Sequence, residues 1–259
     1  MNSFGLKLTY IGGPTALIDF AGVRLLTDPT FDPAPAEYPS GAAILRKLMS
    51  PALTPDQLGH VDYVLLSHDH HHDNLDHEGR EFLSQATKVF TTTEGAQRLG
   101  NNSVGLKPWQ HAEVKTGART LRVVATPARH GPANMDRGPV LGFVFFFADA
   151  PNPAIYFSGD TVWFEGVQEV AQRFPIKAAI LNLGAARVAE VGPFHLTMTA
   201  EEAVLTARAF STAPIVPLHF EGWAHFSEGR EKIAETFSSA KMQERLHWLQ
   251  PGKGVAINL

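Results

Sequence analysis

Histidine and aspartate side chains are concentrated in one short segment of this 259-residue chain, where five of the twelve histidines lie between His68 and His77. Residues 67–76 read SHDHHHDNLD. Imidazole nitrogens and carboxylate oxygens on one irregular turn could bind metal ions about 2 Å away. The alternative is a solvated polar turn that precedes a helix, with Asp76 as the helix N-cap.

Three further residues of the same types, His130, Asp160 and His219, follow predicted strands elsewhere in the chain. Each has an alternative interpretation when taken alone. His130 could lie in a surface loop, Asp160 could cap the following helix, and His219 could be a core histidine bonded to a backbone carbonyl. Their joint position after strands favours a site with nitrogen and oxygen ligands, because loops at strand ends converge on one edge of a sheet.

The elements that must position these residues are mainly strands. The sequence pattern predicts strands at residues 6–11, 15–20 and 23–27, without intervening helices. Strands at 61–67, 118–126, 154–158 and 215–218 then bring in His68, His130, Asp160 and His219, and helices alternate with them. This pattern predicts an α/β fold, a four-layer αββα sandwich. With no linker in the sequence, we expect a single domain over residues 1–259. The prolines of residues 28–39 predict an irregular segment, suited to a lid or a pocket wall.

Composition narrows the chemistry and the partners. The chain has no cysteine, which leaves nitrogen and oxygen as metal ligands. The formal charge of −4, without a basic run, argues against nucleic acid as a partner. The longest apolar stretch, residues 140–148, is too short to span a membrane, and no basic segment followed by an apolar core begins the chain. We therefore expect a cytoplasmic protein with a small-molecule substrate. A homo-oligomer remains open.

These motifs resemble the metallo-β-lactamase superfamily, over almost the whole chain from about Leu6. Residues 9–13 and 25–29 look like the first hairpin of the branch that holds ascorbate-6-phosphate lactonase and N-acylphosphatidylethanolamine phospholipase D. The superfamily pattern is H-x-H-x-D-H after a strand, followed by a His, a bridging Asp and a final His. His130, Asp160 and His219 match the three later positions in that order.

The first motif departs from the superfamily pattern by one extra residue. Counted from the strand, His68 and His70 form the histidine pair, whereas counted back from Asp73 the second histidine is His71. The form H-D-x-H-x-D-N-L-D favours His71, with His70 as the second choice. Asn74 replaces the last histidine of the motif, so the resemblance implies a second ion with fewer ligands than usual.

The resemblance implies a metal-dependent hydrolase in which a metal-bound hydroxide cleaves an ester-type bond. One or two zinc ions are expected, with manganese or iron as alternatives. His68, His71 (or His70) and His130 would hold one ion, and Asp73 and His219 the other, with Asp160 as the bridge. Asp73 and Asp160 are the predicted catalytic carboxylates. A lactone is the expected substrate, because acyl transfer depends less than phosphoryl transfer on two firmly bound ions.

Substrate contacts are predicted at five residues near the ligands. The set contains two arginines that could pair with an anionic group, two histidines and one tryptophan. They are Arg129, Arg187, His195, His225 and Trp223. For the arginines a plain surface role is the alternative, for Trp223 core packing, and for His225 a hydrogen bond to a metal ligand.

Two other functions compete with the lactonase prediction. A phosphodiesterase or phospholipase would use the same fold and would be distinguished by a phosphorus substrate. A non-catalytic metal-binding domain is the second, because Asn74 removes a ligand, and metal-dependent turnover would exclude it. A nuclease or a flavodiiron-type oxygen reductase is disfavoured, since the chain has neither a basic surface nor an attached second module.

Overall fold

The computed structural model describes residues 5–41, 43–135 and 137–259. Within these residues the chain forms fifteen strands and six α-helices. The strands are β1 (Leu6–Gly12), β2 (Thr15–Phe20), β3 (Val23–Thr27), β4 (Ala36–Ser40), β5 (Ala43–Lys47), β6 (Tyr63–Leu65), β7 (Lys88–Thr92), β8 (Ser103–Leu106), β9 (His111–Thr116), β10 (Arg119–Pro127), β11 (Leu141–Phe147), β12 (Ala150–Phe157), β13 (Ile176–Asn182), β14 (Ile215–Leu218) and β15 (Gly254–Ile257). The helices are α1 (Pro55–Leu58), α2 (His77–Phe82), α3 (Thr93–Leu99), α4 (Glu165–Arg173), α5 (Ala200–Ala209) and α6 (Arg230–Ser239).

Two large sheets form the middle of the molecule. The first has seven strands in the order β15-β1-β2-β3-β6-β7-β8, and the second has six in the order β14-β13-β12-β11-β10-β9. Pairing is antiparallel from β15 to β3 and from β9 to β12, and parallel from β3 to β8 and from β12 to β14. The alternating strands and helices of the middle of the chain thus supply the parallel parts of both sheets.

Strand β11 shows why the sheets stack between two layers of helices. Its side chains alternate between faces, and both faces are apolar. Phe143, Phe145 and Phe147 enter the core between the sheets, where Phe147 stacks on Phe20 with ring centroids 5.2 Å apart. Phe146 points the other way, into the core beneath helices α4, α5 and α6. The αββα sandwich predicted from the sequence is confirmed.

The helices cover the outer faces with short apolar stripes. Val167 and Val170 of α4 pack on the second sheet, and Phe82 of α2 packs on the first. Asp76 caps α2, since its Oδ1 accepts a hydrogen bond from the Gly79 amide at 2.9 Å, as the sequence predicted. No helix in the described part of the chain has both the length and the apolar composition needed to cross a membrane.

The proline-rich segment contains more regular structure than the sequence predicted. Its second part forms β4, which pairs with β5 in a two-stranded ribbon, with Pro39 opposite Ile44. The prediction of an irregular segment was therefore wrong for residues 36–39. Both strands of a two-stranded ribbon are edge strands, and an edge strand tolerates a residue that has no amide hydrogen.

Candidate metal centre

Three imidazole nitrogens meet beyond the ends of β6 and β10. Nδ1 of His71 lies 3.0 Å from Nε2 of His68 and 3.3 Å from Nε2 of His130. For tetrahedral coordination with metal–nitrogen bonds of 2.0–2.1 Å, the nitrogen–nitrogen separation is about 3.3 Å. His68, His71 and His130 could therefore hold one divalent ion, and Asp160 Oδ2 lies 3.9 Å from His130 Nε2.

Hydrogen bonds on the far side of the rings orient two of these histidines. The Ser67 hydroxyl donates to Asp28 and therefore accepts a hydrogen bond from Nδ1–H of His68 at 2.9 Å. Nδ1–H of His130 donates to the Leu196 carbonyl at 2.9 Å. Each bond leaves the Nε2 lone pair facing the other histidines, which is the usual arrangement behind a metal-binding histidine.

The two neighbouring histidines of the first motif differ in their contacts. His70 turns its Nε2 to the carbonyl oxygen of Arg137 at 2.9 Å, whereas Nδ1 of His71 contacts both His68 and His130. A nitrogen of His70 nevertheless remains within 4.8 Å of nitrogens of His68 and His71. The geometry favours His71, the register counted back from Asp73.

A second group forms beside the first from Asp73, His219 and His225. His219 Nε2 lies 3.5 Å from Oδ2 of both Asp73 and Asp160, and His225 Nε2 lies 3.0 Å from Asp73 Oδ2. Among the described residues, the nitrogens of His219 and His225, Asp73 Oδ1 and Asp160 Oδ2 have no hydrogen-bond partner. Buried polar atoms are normally satisfied. A shared ion would satisfy these atoms, because nitrogen and carboxylate oxygen are the donors that divalent metals such as zinc bind.

The backbone at Asp160 and His219 is bent sharply. Gly159 has φ +55°, and a Cβ there would overlap the carbonyl oxygen of Leu141, so only glycine lets β12 turn directly into Asp160. His219 itself has φ +55°, and its amide donates to the Gly13 carbonyl at 2.9 Å. A left-handed histidine costs about 1–2 kcal/mol, and such strain is typical of functional sites.

Asp160 does not cap the following helix, which was its alternative interpretation. Helix α4 begins five residues later, at Glu165, and Phe164 is its N-cap residue. The Asp160 side chain instead accepts a hydrogen bond from Asn182 Nδ2 and lies between the two groups of histidines.

The two groups differ in the charge of their side chains. Burial, together with neighbouring histidines, lowers the pKa of His71 to about 3 and that of His68 well below its usual value, so both rings are neutral at pH 7. Burial raises the pKa values of Asp73 and Asp160, but the histidines around them outweigh it and keep both carboxylates ionised. Burial also disfavours a charged His219, yet the charge of Asp160 outweighs it and raises the pKa of His219 to about 10. In the second group the carboxylates and His219 therefore stabilise one another's charged forms.

Asn74 and Asp28 lie outside both groups. Nδ2 of Asn74 donates to Asp28 Oδ2 at 3.0 Å, and Asp28 also accepts hydrogen bonds from the amide and the hydroxyl of Ser67. Asp28 was not among the site residues predicted from the sequence. Its position directly after β3 was the available signal, because all four predicted site residues that follow strands also lie within three positions of a strand end.

The predicted substrate residues are spread over several places. Arg129 lies over the Phe164 ring, 4.7 Å from its centroid, and His195 faces Glu202 at 3.2 Å. Trp223 is buried against Tyr38, with ring centroids 5.6 Å apart. Arg187 is exposed and lines an outer cleft, and His225 joins the second group of ligands.

A narrow cleft leads to the histidines, and its cavity volume is only about 20 Å³. The β4–β5 ribbon forms one wall, through Ser40 and Leu45. The remaining lining residues are apolar or belong to the two groups of ligands, apart from one arginine. They are His71, Asp73, His130, Arg137, Ala186, Val188, Leu196 and His225. The outer cleft shares Leu45, Val188 and His225 with it and adds Arg46 and Arg187.

Comparisons with known proteins agree with this arrangement. Residues 23–220 match the family model described as a beta-lactamase superfamily domain. A metal-dependent hydrolase of Natranaerobius thermophilus is 25% identical over 256 residues, which cover 98% of this chain and 100% of the relative. The yeast mitochondrial N-acyl-phosphatidylethanolamine-hydrolyzing phospholipase D is 27% identical over 197 residues, 68% of this chain and 39% of the relative.

Solved structures give the same result for the fold. The isothiocyanate hydrolase from Delia radicum gut bacteria superposes with a TM-score of 0.83 at 25% identity, and the match covers 98% of this chain and 100% of that one. A metallo hydrolase from Ignicoccus hospitalis superposes with a TM-score of 0.75 at 22% identity, over 98% of this chain and 99% of that one.

Proposed function

The chain belongs to the β-lactamase superfamily and is a metal-dependent hydrolase of the metallo-β-lactamase fold, and from this premise we propose that it hydrolyses an ester-type bond in a small, mainly apolar acyl substrate. A lactone is the first candidate. The observation that carries the proposal is the convergence of imidazoles and carboxylates at a narrow cleft whose walls include Leu45, Ala186, Val188 and Leu196.

The proposed ligands form two sets around Asp160. His68, His71 and His130 would hold one ion, Asp73 and His219 would hold the other, and Asp160 would contact both. Zinc suits these nitrogen and oxygen donors, and manganese and iron remain alternatives to be tested. Such ions, when bound, lower the pKa of coordinated water to about 7 and polarise a carbonyl oxygen.

The protein's own side chains orient the reactants. Asp73 stays ionised in the cleft, and its Oδ1 has no hydrogen-bond partner in the described part of the chain, so it can accept a hydrogen bond from the attacking water. Asn182 holds Asp160 through Oδ1 and leaves Oδ2 directed at the histidines. The ribbon over the cleft limits bulk water around these charges, which strengthens their interactions with developing charge.

The lining of the cleft supports a neutral, apolar reacting group. Leu45, Ala186, Val188 and Leu196 would contact the acyl chain, and Arg137 is the one cation among the described residues that line the inner cleft. A phosphodiester would bring its negative charge close to the carboxylates of Asp73 and Asp160, which disfavours it because like charges repel. Opening of a lactone produces a carboxylate, which Arg46 and Arg187 could attract toward the outer cleft.

Isothiocyanate hydrolysis is a second candidate, favoured by the match to the isothiocyanate hydrolase over nearly the full length of both chains. An isothiocyanate is also small and neutral, with an electrophilic carbon that water attacks. The same cleft and the same ligands would serve both reactions. They differ in the bond that is broken, which is the ring C–O bond of a lactone or the C–N bond of an isothiocyanate.

The test is a substrate panel with metal-reconstituted protein. Lactones of increasing chain length, aryl isothiocyanates and matched phosphodiesters are assayed after loading with zinc, manganese or iron. We expect kcat/KM for the best lactone or isothiocyanate to exceed that for the best phosphodiester at least tenfold, with loss of activity in chelator and in His71→Ala. A preference for phosphodiesters, or no turnover with any metal, would overturn the proposal.

A further inference from the structure

The loop after β14 supplies an additional histidine to the second group of ligands. We propose that His225 binds the second metal ion and takes the place of the motif histidine that is absent at Asn74. The inference rests on the proposed metal-dependent function and concerns a residue that the superfamily motif does not include. It makes the second site as rich in protein ligands as the first.

The amide nitrogen of Asn74 makes a hydrogen bond to a residue outside the group. Its Nδ2 donates to Asp28 Oδ2 at 3.0 Å, so the amide is used to position Asp28. The other amide atom, Oδ1, is buried and also has no hydrogen-bond partner among the described residues. It is a neutral oxygen, however, and zinc-like ions in proteins bind nitrogen, sulfur and carboxylate oxygen more readily. A histidine is therefore missing from the motif itself, and the sequence predicted a site with too few ligands.

His225 has the geometry of a ligand. Its Nε2 lies 3.0 Å from Asp73 Oδ2, and its side chain is 8% exposed. Despite the short distance, neither ring nitrogen of His225 makes a hydrogen bond to any described residue. Ligand atoms of His225, Asp73 and His219 all lie within 4.8 Å of one another, a spacing that fits coordination of one ion. His219 Nε2 approaches the same Oδ2 at 3.5 Å.

Two neighbouring segments hold the backbone at His225 in place. The amide of Arg187 donates to the carbonyl oxygen of His225 at 2.8 Å, and the amide of Ala224 donates to the carbonyl of Arg46, in β5, at 3.0 Å. The ring lies 4.7 Å from that of Phe226 between centroids. The ribbon that walls the cleft thus also fixes the loop that carries the proposed ligand.

The negative charges around His225 favour the binding of a divalent ion. Asp73 and Asp160 each bring a negative charge, buried with 6% and 1% of their surfaces exposed. Buried carboxylates need a cation nearby. One ion would have Asp73, His219 and His225 as its own ligands and Asp160 as a shared one. We therefore expect both ions to be bound at comparable affinity.

The experiment counts metal ions without any substrate, so its outcome is independent of whether a lactone is hydrolysed. Wild type, His225→Ala, His225→Gln and Asn74→Ala are loaded with Co²⁺ and analysed by titration calorimetry, elemental analysis and visible absorption. His72→Ala is the matched control, because His72 belongs to the same histidine run but stacks on Tyr38, with ring centroids 4.9 Å apart. Unfolding of each variant by heat is followed by circular dichroism.

We expect two Co²⁺ ions per chain in wild type, Asn74→Ala and His72→Ala. Both His225 variants should keep one tight ion and bind the second at least 100-fold more weakly, with loss of the corresponding absorption bands. The glutamine variant covers the case in which the alanine variant does not fold. Two tight ions in His225→Gln, or the loss of one ion in Asn74→Ala, would overturn the assignment.

Discussion

The carboxamide of Asn182 donates a hydrogen bond of 2.8 Å to Oδ1 of Asp160, and this bond decides which oxygen of Asp160 faces the histidines. Oδ2 lies 3.5 Å from His219 Nε2 and 3.9 Å from His130 Nε2. Asn182 is the last residue of β13, the strand next to β12. One parallel strand pair therefore supplies both the carboxylate and the side chain that orients it.

The first prediction concerns this pair. In Asp160→Asn the amide oxygen of the new side chain should keep the hydrogen bond from Asn182. The NH₂ group of the new side chain then faces the histidines, so N–H donors replace the lone pairs of Oδ2. We expect loss of most activity and of at least one ion per chain. Asn182→Ala should weaken metal binding by about 10- to 100-fold, as for other residues that support a ligand. Elemental analysis after dialysis against a weak chelator measures both, and unchanged metal content in Asp160→Asn would contradict a bridging role.

The second prediction separates the neighbouring histidines of the first motif. His71→Ala should lose one ion, because its Nδ1 is the atom that contacts both His68 and His130. His70→Ala removes only a hydrogen bond to the Arg137 carbonyl and should keep metal binding within about tenfold of wild type. Competition with a fluorescent zinc chelator measures both affinities. The reverse ranking would show that the motif is counted from the strand end.

The sequence predicted the positions of His68, His130 and His219 well because strand periodicity depends on local side chains. Residues 215–218 were predicted as a strand and form β14 with the same bounds. Loops after such strands must begin where the strands end, so the convergence of their first residues follows from the order of strands in a sandwich.

Two features could not be read from local patterns. The role of His225 depends on how the loop after β14 folds back over β5, and that contact joins residues about 180 positions apart in the sequence. The β4–β5 ribbon was missed because its prolines disfavour strands in general, whereas an edge position removes the conflict. Both features depend on tertiary contacts that no sequence window contains.

The third prediction tests the turn before Asp160. A Cβ on Gly159 would overlap the Leu141 carbonyl oxygen and lie 2.7 Å from Cβ of Ser67, at a φ of +55°. Gly159→Ala should lower the free energy of unfolding by about 3 kcal/mol or more, the sum of the left-handed strain and an overpacking cost. Gly22→Ala is the control, since Gly22 has φ +87° and open space around it, and should cost about 1–2 kcal/mol. Urea unfolding measures both, and equal losses would contradict the steric argument.

The fourth prediction concerns pH and His195. The hydrogen bond to Glu202 outweighs partial burial and raises the pKa of His195 above its ordinary value of about 6.5. A pKa raised by folding contributes stability that is complete below the unfolded pKa and disappears as the pH rises through the folded pKa. NMR titration of the His195 ring should therefore give a lower pKa in Glu202→Gln than in wild type.

Glutamine at position 202 keeps an oxygen that can accept the Thr199 amide hydrogen bond of the α5 cap, so the helix start is preserved. The stability difference between wild type and Glu202→Gln should be larger at pH 5.5 than at pH 8.5. An unchanged His195 pKa in the variant would show that the two side chains do not interact in solution.

The fifth prediction concerns Asp28, which is fully buried behind the first motif. Its carboxylate accepts hydrogen bonds from the Ser67 amide at 2.6 Å, the Ser67 hydroxyl at 2.8 Å and Asn74 Nδ2 at 3.0 Å. Asp28→Ala leaves these donors buried without an acceptor, at about 1–3 kcal/mol each, so we expect a loss of more than about 3 kcal/mol in the free energy of unfolding.

Asp28→Asn should be milder than Asp28→Ala, because one oxygen remains for the Ser67 amide and the Asn74 amide can rotate to present its own oxygen. We expect it to cost about 1–2 kcal/mol. Asp19→Ala is the matched control, since Asp19 also accepts a backbone amide hydrogen bond, from Gly22 at 3.1 Å, but on an exposed turn. It should cost less than about 1 kcal/mol.

Because Ser67 also orients His68, Asp28→Ala should weaken binding of the first ion by about tenfold as well. Urea unfolding combined with zinc competition measures both effects, and a stable Asp28→Ala variant with wild-type affinity would mean that His68 holds its position without this network.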